Sequence, residues 1–422
     1  MTVAPQFQHK NGVLHAENIP LPELAHQYGT PLYVYSRQAL RDAWAAYQEA
    51  AQARDVLVCY GMKANSNLAV INEFKTLGSG FDIVSGGELA RVLAIGGDPG
   101  KIVFSGVGKQ AWEMRAALEA GVKCFNVESE GELERLDAVA RELGKMAPLS
   151  LRVNPDVDAH THPYISTGLK ENKFGIAIEN ALDVYRRAAT LGNIQIVGVD
   201  CHIGSQITEA APYLDALDKL IDLIQSLAAE GIHLQHLDLG GGIGIRYTDE
   251  TLLSPRVLLD QVFKKLDSHG LGDLQIILEP GRSLVGNAGI LLTAVEYLKH
   301  SPAKNFAIVD AAMNDLIRPT LYDAWHDVEA VQTRQNTDEA LTYDIVGPVC
   351  ESGDWLARDR PLSLQQGDLL AIMSAGAYAF TMASHYNSRP CPAEIMVDGY
   401  QAHVIRPRET IESLFQDESV LP

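Results

Sequence analysis

The chain has 422 residues, enough for two or three domains or for one large barrel with an appended domain, and its 46% hydrophobic and 21% charged content is that of an ordinary folded protein. Its 34 Lys and Arg against 54 Asp and Glu give a formal charge of −20, which argues against a nucleic-acid partner or an anionic membrane surface. Five cysteines, scattered and never spaced as CxxC, indicate neither a disulfide framework nor a metal site; with no signal-peptide pattern and no long apolar run, a cytoplasmic protein is expected.

In chain order, the first 35 residues hold one short helical candidate, 22–28, and could pack on whatever follows. Eight short apolar runs then read as strands: 56–60, 81–84, 102–105, 124–127, 149–153, 196–201, 234–239 and 274–279. Between them lie amphipathic stretches such as 67–77, 111–120, 131–143 and 213–229, with Ser129 and Ser254 placed as helix N-caps. Eight strand–helix units with right-handed crossovers predict an α/β fold, a (β/α)₈ TIM barrel, with a doubly wound sheet as the competing pattern. After Arg282 the rhythm changes to short segments at 306–309, 342–346, 369–374, 393–397 and 402–405, separated by turn signals at 366–368 and 398–399. These predict a C-terminal antiparallel β domain. The expected division is a barrel at 36–284 and a β domain at 285–422 together with 1–35.

Barrel chemistry sits at the C-terminal ends of the strands, and here those ends are polar or glycine-rich. The first runs into Tyr60-Gly61-Met62-Lys63-Ala64-Asn65, the sixth into His202-Ile203-Gly204-Ser205-Gln206, the seventh into Gly240-Gly241-Gly242-Ile243-Gly244, and the eighth into Glu279-Pro280-Gly281-Arg282. Glycines after the seventh strand let backbone N–H groups converge on a phosphate, with Ser205 adding a hydroxyl, although a tight turn alone would also need them. Most lysines are solvated surface residues, but Lys63, at the end of an apolar strand, would be desolvated enough to attack a carbonyl. Lysine and phosphate cradle together are what pyridoxal phosphate requires. Glu279 could then face the pyridine nitrogen and His202 lie against the ring, while a turn with a local ion pair and a structural histidine remain the plain alternatives.

With these motifs stand Asp82-Ile83-Val84-Ser85, Arg152-Val153-Asn154-Pro155, Lys173-Phe174-Gly175, Cys350-Glu351-Ser352-Gly353-Asp354 and Tyr378. So many ordered matches over nearly the whole chain mean that it resembles the alanine-racemase-like pyridoxal phosphate decarboxylases, with Gly61 a small departure from a more usual Ala. The resemblance implies a homodimer with shared sites. Lys63 would bind the cofactor, Asp82 would lie beside it and His202 would stack on its ring. Ser205, Gly240, Gly241, Gly242, Gly281, Arg282 and Tyr378 would surround the phosphate, and Glu279 the pyridine nitrogen. Cys350, from the partner subunit, would be the proton donor.

It further implies the activity: decarboxylation of meso-2,6-diaminopimelate at its D-centre to L-lysine. A substrate with a distal carboxylate demands cations, and Arg282, Arg318 and Tyr322 match family positions that grip it, with Glu351 on the distal ammonium and Tyr378 beside the substrate. Decarboxylases of ornithine, arginine or carboxynorspermidine, a racemase of the same fold, and a silent regulatory homologue are the rivals. The segment 156–172 is a candidate lid.

Overall fold

The computed structural model describes residues 5–158, 168, 172–333 and 340–422, so most of the candidate lid falls outside the described residues. It divides into two compact units. One comprises Ala43–Ile245 and Thr251–Ser283, the other Met1–Asp42, Arg246–Glu250 and Leu284–Pro422.

The first unit is a closed barrel of eight parallel strands: β1 (Val56–Gly61), β2 (Gly80–Ile83), β3 (Ile102–Phe104), β4 (Cys124–Val127), β5 (Ala147–Asn154), β6 (Ile194–Asp200), β7 (His236–Asp238) and β8 (Gln275–Leu278). Each pairs with the next, and β8 pairs with β1 through Ile276–Val56 and its neighbours, which closes the ring. All eight expected strands are present, displaced by a residue or two at their ends. The intervening helices start where the sequence indicates. Ser129 Oγ accepts from Glu132 N–H and Ser254 Oγ from Val257 N–H, caps worth about 1 kcal/mol each.

The barrel interior is layered by the two-residue period of the strands. Cys59, Val103, Cys124, Val197 and Ile277 form an apolar plug. Two residues further along four of these strands stand Gly61, Ser105, Asn126 and Glu279, and neighbouring strands add Asp82, Arg152, Asp200 and Asp238, all buried or nearly so. The interior therefore turns polar at the C-terminal ends of the strands, where a barrel enzyme holds its site.

The second unit is mostly antiparallel. Leu32–Ser36, Gly289–His300 and Leu369–Ile372 run through the middle of a nine-stranded sheet, joined by two parallel pairings, Leu32–Ser36 with Ala393–Asp398 and Asn305–Val309 with Leu341–Val346. A small antiparallel sheet, Phe7–Lys10, Val13–Ala16 and Ile19–Pro20, precedes the helix Leu21–Tyr28. Two apolar cores cover this unit, one around Tyr33, Tyr35 and Leu291, the other around Phe7, Leu14 and Val34, so the described residues 5–35 are integral to it. Among the described residues no helix is long and apolar enough to cross a membrane.

Candidate active site

In the barrel unit, β1 ends in a single 3₁₀ turn, Met62–Ala64, that carries Lys63. Lys63 Nζ lies 2.5 Å from Asp82 Oδ2, on the adjacent strand β2, with the Asp82 side chain fully buried and that of Lys63 about one-third exposed. The lysine is therefore reachable but held against a carboxylate in a low-dielectric setting, where the attraction is far stronger than in water.

After β6, His202 is oriented by the glycine loop that follows β7. Gly241 N–H donates to His202 Nδ1 at 3.1 Å, which places the ring proton on Nε2, and burial with the nearby Arg152 and Lys63 charges pushes the imidazole well below its usual pKa. The ring is neutral. A side chain at Gly240, whose φ is +66°, would stand 2.7 Å from His202 Nδ1, and one at Gly241 would stand 2.1 Å from the Glu279 carbonyl oxygen. Gly240 N–H is itself bonded to Asp238 Oδ1 at 2.8 Å. The glycines thus serve close approach, and two of the three amides in Gly240–Gly242 are committed to Asp238 and His202. Across the mouth, Arg282 Nε and Nη2 donate to Ser205 Oγ at 3.3 and 3.1 Å. Gly281 packs against Gly61, bringing the ends of β8 and β1 together.

Glu279 is buried in the polar layer, with Asn126 Nδ2 donating to its Oε1 at 3.4 Å. Burial, with Asp238, Asp82 and Asp200 nearby, raises its pKa well above the ordinary carboxylate range; Asp238 is pushed up to about 7, chiefly by burial. Asp200 is raised in the same way, relieved in part by Arg152, which lies 3.9 Å from it and 3.1 Å from Glu128. Burial and mutual repulsion therefore oppose full ionisation of this layer. Sequence reasoning assigned no role to Asp200, Asp238, Asn126 or Arg152; the available signal was a polar residue at each alternate position of an otherwise apolar strand end.

Pyridoxal phosphate fits these residues. Among the described residues, Asp82 Oδ1, Asp200 Oδ1 and Asp238 Oδ2 are buried without a hydrogen-bond partner, a floor suited to a proton-bearing cation such as a pyridinium. The Arg282–Ser205 pair would supply charge and hydroxyl for a phosphate, and Lys63 the amine for an aldehyde.

In the second unit, Arg318 and Tyr322 lie one turn apart on the short helix Arg318–Tyr322. Arg318 is buried, donates from Nη1 to His326 Nε2 at 2.7 Å, and lies 5.0 Å from the centre of the Tyr247 ring. His326, fully buried, donates from Nδ1 to the Met373 carbonyl at 2.8 Å, so its Nε2 is an acceptor and the guanidinium is aimed. Sequence reasoning missed His326 and Tyr247. The loop bearing Cys350 and Glu351 is clasped by buried Asp354, whose two oxygens accept from Met313 N–H and Val349 N–H, each at 2.7 Å. Cys350, an exposed thiol, donates its N–H to Asn387 Oδ1, and Tyr386 OH donates to Glu351 Oε2 at 2.7 Å. Tyr378 sits in a loop with φ of +54°, a left-handed position that sets the direction of its ring.

Residues 37–286 match the family model described as pyridoxal-dependent decarboxylase, pyridoxal binding domain. The chain is 58% identical to diaminopimelate decarboxylase of Vibrio cholerae, over 98% of both chains, and 58% identical to that of Pseudomonas aeruginosa, over 99% of both. Among solved structures, diaminopimelate decarboxylase of Helicobacter pylori complexed with L-lysine superposes with a TM-score of 0.90 at 43% identity, covering 94% of this chain and 99% of that one. The enzyme from M. jannaschii in co-complex with L-lysine gives 0.95 at 37% identity, covering 100% and 99%. Barrel, lysine-bearing strand end and full-length similarity agree: the chain belongs to the diaminopimelate decarboxylase family of pyridoxal-dependent decarboxylases.

Proposed function

We propose that this protein removes the carboxylate at the D-centre of meso-2,6-diaminopimelate, releasing carbon dioxide and L-lysine. The single observation that carries the substrate assignment is Arg318, a buried guanidinium aimed by His326 and Tyr247 in a chain whose 58%-identical relatives are diaminopimelate decarboxylases. A buried guanidinium fixed in direction presents a planar fork suited to a carboxylate, and the distal carboxylate of the substrate is assigned to it.

Lys63, His202, Ser205, Gly240 to Gly242, Gly281, Glu279, Arg282 and Tyr378 are assigned to hold pyridoxal phosphate. Bound there, the cofactor supplies the electron sink that allows a carboxylate to depart from an α-carbon. Asp82 keeps the Lys63 ammonium in place until its proton is lost. Glu279, with Asp238 nearby, is assigned to the pyridine nitrogen, and His202, neutral, is assigned to lie against the ring without adding charge. Arg282, Arg318 and Tyr322 are assigned to the distal carboxylate and Glu351 to the distal ammonium, which orients the bond to be broken. Tyr378 is assigned to both cofactor and substrate. Cys350 is assigned as the donor that returns a proton to the carbon, in a cytoplasmic homodimer where it serves the site of a second copy.

Amino-acid analysis of the product tests the reading. Equimolar L-lysine and carbon dioxide from the meso isomer, with none from Lys63→Ala, is expected; lysine formation by the Lys63→Ala variant at an undiminished rate would overturn it.

A further inference from the structure

Away from the residues assigned above to cofactor and substrate, His385, Cys391 and Glu409 bring one imidazole nitrogen, one thiol sulfur and one carboxylate oxygen within 4.8 Å of one another. We propose that these three side chains form a binding site for a transition-metal dication of the zinc class, with the fourth position open to water.

The backbone builds the cluster. Asn387 and Ser388 both adopt left-handed φ angles, 57° and 53°, and Ser388 N–H closes onto the His385 carbonyl at 2.8 Å, so the chain doubles back and presents His385 and Cys391 to the same point. Glu409 comes from a later segment and is locked to Cys391 reciprocally. Glu409 N–H donates to the Cys391 carbonyl at 3.3 Å, and Cys391 N–H donates to Glu409 Oε2 at 2.9 Å. Backbone hydrogen bonds to a ligating carboxylate fix its direction in advance, as outer-shell partners do in metal sites. His385 Nε2 is 2.7 Å from the same Oε2.

The donor set selects the ion. Imidazole nitrogen with thiolate and carboxylate suits zinc, whereas magnesium and calcium prefer oxygen alone. At ligand distances of about 2.0–2.3 Å a tetrahedral ion needs its donors about 3.3–3.7 Å apart. His385 and Glu409 must therefore separate by somewhat less than 1 Å as the metal displaces the proton between them. A side chain that is 54% exposed, as His385 is, can make that movement. The same exposure gives the ion a way in, while Cys391 stays buried at the inner end. Lack of a CxxC pattern hid the site in the sequence, because its ligands are six and eighteen residues apart.

The site also adjoins the catalytic loop. Tyr386 and Asn387, the two residues after His385, are those that bond Glu351 and the Cys350 amide.

Metal-free holoenzyme titrated with cobalt(II) tests this, read in the visible d–d bands beyond the cofactor's absorption, together with zinc retained after gel filtration. Tetrahedral cobalt bands, one zinc per chain and a melting temperature raised by several degrees with zinc but not magnesium are expected. All three should be lost in Cys391→Ser and weakened in Glu409→Gln, and kept in Cys350→Ser. Circular dichroism of each variant separates loss of ligand from loss of fold. No retained zinc, or zinc retained equally by wild type and folded Cys391→Ser, would overturn the proposal. Because the readout is metal binding and not decarboxylation, it stands or falls separately from the proposed function.

Discussion

Replacing His326 with Ala removes the acceptor that aims Arg318 while leaving the guanidinium itself in place. The lost bond, 2.7 Å long and between a cation and a fully buried imidazole, belongs to the charged class worth about 1.5–3 kcal/mol. If that orientation is realised on the distal carboxylate, kcat/KM for meso-diaminopimelate falls by about 10- to 150-fold, most of it in KM. The Met373 carbonyl also loses its donor, costing about 1–3 kcal/mol of stability but not affinity. Steady-state kinetics on folded variant, beside a urea melt, separates the two effects. His326→Gln can still accept from Arg318 through its amide oxygen and donate to Met373, so it should recover part of the loss. An unchanged KM in folded His326→Ala, or no recovery in His326→Gln, would refute the reasoning that this histidine positions Arg318.

Asp354→Ala leaves the Met313 and Val349 amides without their carboxylate, and is expected to cost about 3 kcal/mol or more in chemical denaturation and to speed alkylation of Cys350; equal alkylation rates would refute the clasp. Gly241→Ala places a methyl carbon 2.1 Å from the Glu279 carbonyl, and is expected to lower cofactor affinity at least tenfold in equilibrium titration, since either the glycine loop or the β8 end must move. Asp315 is pushed up to about 6, chiefly by burial, from 3.8. A buried acid whose pKa is raised on folding contributes stability that is fully present below its unfolded value and is lost as pH rises through its folded value. Wild-type stability should therefore fall by roughly 3 kcal/mol from this group between about pH 4 and pH 6, and that part of the slope should vanish in Asp315→Asn, as read by urea melts across the range.

The barrel was legible because each of its strands is a short apolar run bounded by turns, and the glycines and Lys63 stand out at the ends of such runs. The central strands of the second unit were harder. Leu32–Ser36 and the first half of Gly289–His300 are buried on both faces, so the alternation that marks a strand is absent, and Trp355–Leu362 is interrupted by four charged or proline positions. Within the site, residues that would touch the cofactor were found because their spacing is local. Those that tune it were not: Asp238 meets Glu279 only through the pairing of β7 with β8, and His326 meets Arg318 through a turn whose helix is five residues long. Ser105, Asn126 and Glu279 each stand two places after an apolar plug position, a pattern present in the sequence, but the raised pKa values of the carboxylates arise from burial that no single strand reveals.

The central claim is tested most directly by carbon dioxide release from purified protein given meso-diaminopimelate, L,L-diaminopimelate or L-ornithine, with and without added pyridoxal phosphate. Cofactor-dependent release from the meso isomer alone is the expected result. Release from ornithine in preference would leave the barrel and Lys63 intact but contradict the assignment of Arg318 to a distal carboxylate, and release from none of the three would contradict the catalytic reading altogether.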